Sequence, residues 1–196
     1  MQNNSNRKLT KNMKQCVSEK KVFALAKPSY RKNVKIWVNE YRNFYRYNNL
    51  DSYNREYLIS KGYKLKKFKN IYGKTEKYLL KPIGNESLQH CFLTNEIYHY
   101  IKKITNKVKM FHSAKPDIVF QAADGLDYAI EVETGKSYRN AIKKLREKVK
   151  LLRQNYGDNW FFVVTNRNLV KKYKKLGTTY EKRNIIKAID WLFYSY

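Results

Sequence analysis

The sequence predicts an α+β protein in two parts. Helices followed by a two-stranded ribbon occupy residues 1–84, and a mixed α/β core occupies residues 85–196. Three observations predict this. Apolar residues recur at helical spacing up to Gly62, the period then falls to two, and beyond Gly84 strand-like and helix-like segments alternate. The chain has 196 residues, 42% of them hydrophobic and 15% aromatic, so it can fill packed cores.

Residues 1–14 are polar and expected to fray. "VSEKKVFALA", residues 17–26, forms a short helix that Pro28 ends. Ser29 then caps a helix over "SYRKNVKIWVNEYRNFYRY", in which Val34, Trp37, Val38, Tyr41, Phe44 and Tyr45 share a face. "DSYNREYLISKGY" predicts a further helix. Asp51 or Ser52 caps it, Tyr57 and Leu58 face inward, and Gly62 terminates it.

"YKLKKF" and "EKYLLKPIG" read as strands joined at "NIYGKT", with Tyr63, Leu65 and Phe68 toward one side. Helices followed by a ribbon resemble a winged helix-turn-helix, and the stretch from Tyr57 to Gly84 resembles the second half of such domains. A generic α+β hairpin is the alternative. The ribbon carries Lys64, Lys66, Lys67, Lys69, Lys74 and Lys77, whose mobile charges suit phosphates without reading sequence. Asn54 and Arg55 have the chemistry to read adenine and guanine edges, or else are solvated surface residues.

After the turn residues "GNES" comes a helix, "SLQHCFLTNEIYHYIKKITNKV". The strands "DIVFQAA", "DYAIEVET" and "NWFFVVTN" follow, with one long helix from Tyr138 to about Asn155 before the last of them. Ala141, Ile142, Leu145, Val149 and Leu152 form its apolar stripe.

Charge limits the partners. Forty-two Lys and Arg face 16 Asp and Glu, a net charge of +26. That excess calls for a polyanion: double-stranded DNA first, with RNA or an anionic membrane surface as alternatives. No apolar run is long enough to span a bilayer and no signal-type segment follows the N-terminus, so a cytoplasmic protein without membrane insertion is expected. Cys16 and Cys91 have no metal-ligand spacing, and Cys91 is expected in the core. His90, His99 and His112 lack zinc-type spacing, and His90 reads as a helix-face residue. Glu96, on the helix before the sheet, reads as a surface glutamate, with a fourth acid beside Asp117, Glu131 and Glu133 as the alternative.

Against this basic background, "KPDIVFQAADGLDYAIEVETGKS" collects acids. Strand alternation puts Tyr128, Ile130 and Val132 on one face, and Ala129, Glu131 and Glu133 on the other, the two glutamates ~7 Å apart. The Asp124-Gly125 turn returns the chain antiparallel, bringing Asp117 beside them. Such a trio is either the solvated face of a hairpin or a site for a hard cation, Mg²⁺ or Mn²⁺, held by Asp117, Glu131 and Glu133.

"PD" followed by "EVE" resembles the PD-(D/E)XK nuclease superfamily, with Pro116-Asp117 and Glu131 matching the motif and Glu133 standing where lysine is usual. The resemblance implies a restriction-endonuclease-like mixed sheet and a catalytic set of Asp117, Glu131, Glu133 and a lysine. Some members carry an E-x-E variant or take the lysine from the next helix. Lys144 and Lys148 lie there, Lys148 being the preferred one, while Lys136 falls beyond the strand end. More of the chain is similar to the replication-relaxation family of plasmids and conjugative elements. That likeness implies a DNA-binding role at a replication or transfer origin, beside a relaxase or replication protein. Metal-dependent cleavage and a non-catalytic accessory or regulatory role both remain open.

Overall fold

The computed structural model describes residues 38–39, 42–112 and 115–195. The chain divides into units Met1–Lys35 and Ile36–Tyr196, and every described residue belongs to the second. The helix expected over residues 17–26, Cys16 and most of the helix expected from Ser29 lie outside the described residues.

The first described elements are strand β1 (Phe44–Arg46), helix α1 (Ser52–Ser60), and strands β2 (Lys64–Lys69) and β3 (Thr75–Leu80). The expected helix from Ser29 therefore does not continue to Tyr47. Phe44, Tyr45 and Arg46 instead pair antiparallel with Leu80, Leu79 and Tyr78, and a 3-10 turn takes Tyr47–Asn49. Tertiary packing explains the change. Extended backbone sends Phe44 into the main core and Tyr45 into a separate cluster with Leu50, Leu58, Tyr63 and Leu79. Helix α1 starts as expected: the Asp51 side chain accepts the Asn54 amide at 2.7 Å. It ends at Gly62, whose φ of 86° the left-handed region demands.

The three-stranded sheet runs β1-β3-β2, all antiparallel. Tyr63 is buried as expected and Phe68 stacks on Phe92 at 4.5 Å, whereas Leu65 is exposed. Leu65 faces Leu79 across the ribbon but lies on its outer strand, with no further strand beside it among the described residues.

The remainder comprises α2 (Leu88–Ile104), β4 (Val108–Met110), β5 (Ile118–Gln121), β6 (Asp127–Glu133), α3 (Lys136–Asn140), α4 (Ile142–Tyr156), β7 (Trp160–Val164), α5 (Arg167–Tyr173), β8 (Thr179–Glu181) and α6 (Ile185–Tyr194). Their five-stranded sheet has the order β4-β5-β6-β7-β8. β4, β5 and β6 are antiparallel neighbours; β6, β7 and β8 run parallel. The mixed α+β expectation holds, with two edge strands, β4 and β8, that the sequence pattern did not announce.

Both sheet faces are covered. Phe161 and Val163 of β7 enter the main core with Cys91, Phe92 and Ile97 of α2 and Ile189 of α6. Trp160, Phe162 and Val164 face Leu145, Val149 and Leu152 of α4. Apolar residues on both faces make "WFFVV" an unbroken buried run, as a parallel interior strand requires. The core crosses Gly84: Phe44, Tyr78 and Leu80 share it with α2. The expected single helix from Tyr138 is two, broken at Ala141 (φ −150°). The break lets Tyr138 pack on Tyr173, 5.5 Å between ring centroids. Among the described residues no helix is long and apolar enough to cross a membrane.

Candidate carboxylate–lysine site

The Asp-Gly turn positions the site. Gly125 takes φ 79°, and β5 folds onto β6 with Ile118 opposite Ile130 and Val119 opposite Ala129. One step further along this register sets Asp117 opposite Glu131. Ile130 and Val132 point into the main core, and Ala129 joins the cluster under α4. Glu131 and Glu133 therefore share the α4 face of the sheet, as strand alternation requires.

All three acids are buried. Asp117 Oδ2 accepts the Val132 amide at 2.7 Å and lies 3.2 Å from His90 Nε2. Glu131 Oε1 is bonded by the Lys148 ammonium, while its Oε2 is buried without a hydrogen-bond partner. Glu133 Oε2 accepts the Tyr173 hydroxyl at 2.8 Å. Lys148 stands three residues past Leu145 and one before Val149, so the stripe that seats α4 aims it at β6.

Electrostatics follows from this crowding. Burial raises the Glu131 carboxyl well above its usual range, the Asp117 charge raises it further, and Lys148 opposes both. Burial also raises Glu133, against the hydrogen bonds from Tyr173 and Ser137. Lys148 loses by burial but is raised by the charges of Glu131, Asp117 and Glu133. His90 is likewise lowered by burial, yet the Asp117 hydrogen bond and the charges of Asp117, Glu86 and Glu131 carry it to about 8.

Of the sequence-predicted site residues, Asp117, Glu131, Glu133 and Lys148 come together. Lys136 opens α3, exposed. Lys64, Lys66, Lys67 and Lys69 are exposed along β2, and Lys74 sits in the turn before β3. Asn54 Nδ2 donates to Asp51 at 3.0 Å, and Arg55 donates to the Tyr47 carbonyl at 3.0 Å with its guanidinium over the Tyr47 ring. His90 is no simple helix-face residue, because it touches Asp117, and Tyr173 joins the site without any signal in the sequence. Helix spacing could not announce either contact, since each spans more than 25 residues. Glu96 is buried rather than on the surface, because α2 is covered on one side by β1 and β3 and on the other by the five-stranded sheet.

A hard cation fits the chemistry of these groups. The orphaned Glu131 oxygen and the facing Asp117 are anionic oxygen donors, the kind Mg²⁺ or Mn²⁺ takes. Among the described residues no three His, Cys, Asp or Glu converge as a cage. Mg²⁺ commonly needs only one or two carboxylates, completing its shell with water and substrate phosphate.

α5 and its C-terminal turn direct Arg167, Lys171 and Lys174 at an open cleft of about 910 Å³ bounded by Thr179 and Tyr180 of β8. The cationic side chains of this cleft suit a polyanion.

No family model matches the chain, and no curated protein does. Among solved structures, a chain of one described as "Structure of EndoMS-dsDNA2 complex" is similar at 16% identity, covering 62% of this chain and 64% of that one, with a TM-score of 0.31. At that score the site has to be read from its own residues.

Proposed function

We propose that the protein binds DNA and cleaves its phosphodiester backbone with Mg²⁺ or Mn²⁺ held by Asp117 and Glu131. The observation that carries this is the Lys148–Glu131 contact opposite Asp117, on the face where Glu131 keeps an unpartnered oxygen. Support comes also from the order α2, β4, β5, β6, α4, β7, which is the succession expected of a PD-(D/E)XK-like core, and from the net charge of +26.

When bound, such an ion makes a water nucleophilic near neutral pH and offsets charge on the phosphate. The chain supplies the rest. Asp117 and Glu131 would hold the ion, and Lys148, beside Glu131, would orient the attacking water and attract the phosphoryl oxygens. His90 and the Val132 amide hold Asp117 in place. Tyr173 holds Glu133, which adds to the larger effects of Glu131 and Asp117 in favouring the Lys148 ammonium.

One observation favours a second reading, in which the same fold binds DNA without cutting it. Glu133 occupies the position where lysine is usual. The accessory role at a replication or transfer origin, with a relaxase or replication protein as partner, belongs to this reading.

Incubation of supercoiled and single-stranded DNA with the protein and Mg²⁺ or Mn²⁺ separates the two. Cleavage that Glu131→Gln and Lys148→Met both abolish supports the nuclease. Retained binding with no cleavage under either ion leaves the accessory factor.

A further inference from the structure

We infer that a second cavity, remote from the carboxylates, binds a guanine base. The cavity is about 210 Å³, formed between β1, the β2–β3 turn and α2. Drug-sized ligands occupy ~300–1,000 Å³, so this one suits a single ring system. Its floor is Glu96, 4% exposed, whose Oε2 is buried with no hydrogen-bond partner. Its Oε1 meets Arg46 at a long 3.4 Å, and the Ile71 backbone also hydrogen-bonds the carboxyl group. Burial raises the Glu96 carboxyl and Arg46 opposes that rise; in its ionised form the group only accepts, so the open Oε2 calls for a ligand carrying N–H groups.

The walls restrict that ligand further. Tyr72 and Tyr100 stand 6.2 Å apart with planes at 70°, so a planar group can stack on one and meet the edge of the other. Tyr100 is fixed by its hydroxyl bond to Asp190, while Tyr72 is 48% exposed. The rim is cationic. Arg46 and Lys103 line the cavity, and these two with Arg42 help hold the His99 imidazole neutral. The fitting ligand is thus a donor at its tip, flat in its middle and anionic at its tail.

A nucleotide has that form, and among the bases guanine offers two adjacent donors, N1–H and the N2 amine, to one carboxylate. Adenine and cytosine offer an amine alone, and thymine a single N–H between two acceptors. The base can come from a free nucleotide or from an unpaired position in a nucleic acid. The second source rests on the DNA-binding reading proposed above.

Calorimetry on the full chain with dGMP, dIMP and dAMP tests the pocket. dIMP lacks only the N2 amine, so dGMP should bind at least about tenfold more tightly than either. Equal affinities, or no binding by any of them, overturn the inference. Glu96→Gln should erase the preference, and a variant that keeps it overturns the assignment. Should Glu96→Gln fail to fold, Tyr72→Ala, at an exposed turn residue, should weaken dGMP by about tenfold through lost stacking; unchanged affinity there also refutes it. Hairpin DNAs carrying one unpaired guanine or one unpaired thymine locate the source. A guanine preference assigns the base to nucleic acid, and dGMP selectivity without it assigns a free nucleotide. Cleavage without guanine selectivity would sink this inference alone, and guanine selectivity without cleavage would sink only the nuclease.

Discussion

Replacing Lys148 with Met should destabilise the protein through the carboxylates it leaves behind. The side chains of the pair are 26% and 6% exposed, so the interaction lies between a surface ion pair and a fully buried one. Exposed pairs contribute ~0–1 kcal/mol, and removing one partner of a buried pair costs ~3–5 kcal/mol. Solvent reaching Lys148 puts the expected loss at ~2 kcal/mol. With a urea slope of ~2 kcal/mol/M, the midpoint should fall by about 1 M. Glu131→Gln alone should cost less, because it also removes the repulsion from Asp117 and Glu133. In the double variant Lys148→Met/Glu131→Gln no unpaired charge remains on Glu131, so its loss should be smaller than the sum by ~1–2 kcal/mol. Equilibrium urea unfolding of the four proteins at one pH closes this cycle. Additive losses would show that the ammonium does not act on Glu131, and the reasoning from burial and contact would be wrong.

DNA binding should weaken steeply with salt, each neutralised phosphate adding ~0.9 to the log–log slope. Lys67 faces Lys77 directly across the ribbon, a like-charge pairing that a phosphate relieves. Replacing Lys67, Lys69 and Lys77 with Ser should therefore lower the slope by about 2–3 in a fluorescence-anisotropy titration, and an unchanged slope removes the ribbon from the interface. Burial pulls the His99 pKa down to about 4, helped by Arg42, Arg46 and Lys103, with Glu96 the acid lining the same cavity. The unfolded chain takes up the proton near 6.5, so stability present above that pH is lost as pH falls toward 4. Discounted for partial exposure, the loss is ~1–2 kcal/mol; His99→Gln should show that much less acid destabilisation between pH 7 and 4.5, and an identical acid loss would contradict the assignment. Gly135→Ala should cost ~1–3 kcal/mol, read as a lowered Tm, because φ is 85° and a Cβ would meet Leu169 Cδ2 at 2.8 Å. A Tm within a degree of the parent would mean that this turn after Glu133 relaxes freely.

What the sequence determined by itself was local. Alternation in "DYAIEVET" separates Ile130 and Val132 from Glu131 and Glu133, and an Asp-Gly turn leaves the chain no route but back along Asp117. The α4 stripe likewise sets Lys148 toward the sheet, since side chains three and four apart share a helix face. Tertiary structure decided where pattern is silent. "FYR" extends instead of coiling because β3 offers it backbone partners and two separate apolar clusters to fill. Edge strands β4 and β8, three residues each, are too short to announce a period and exist through their neighbours' hydrogen bonds. In the sequence Glu96 reads as a surface glutamate and His90 as a helix-face residue. They are buried or engaged because α2 packs against a sheet on each side, and such a second contact is a property of the assembled chain and not of any window along it.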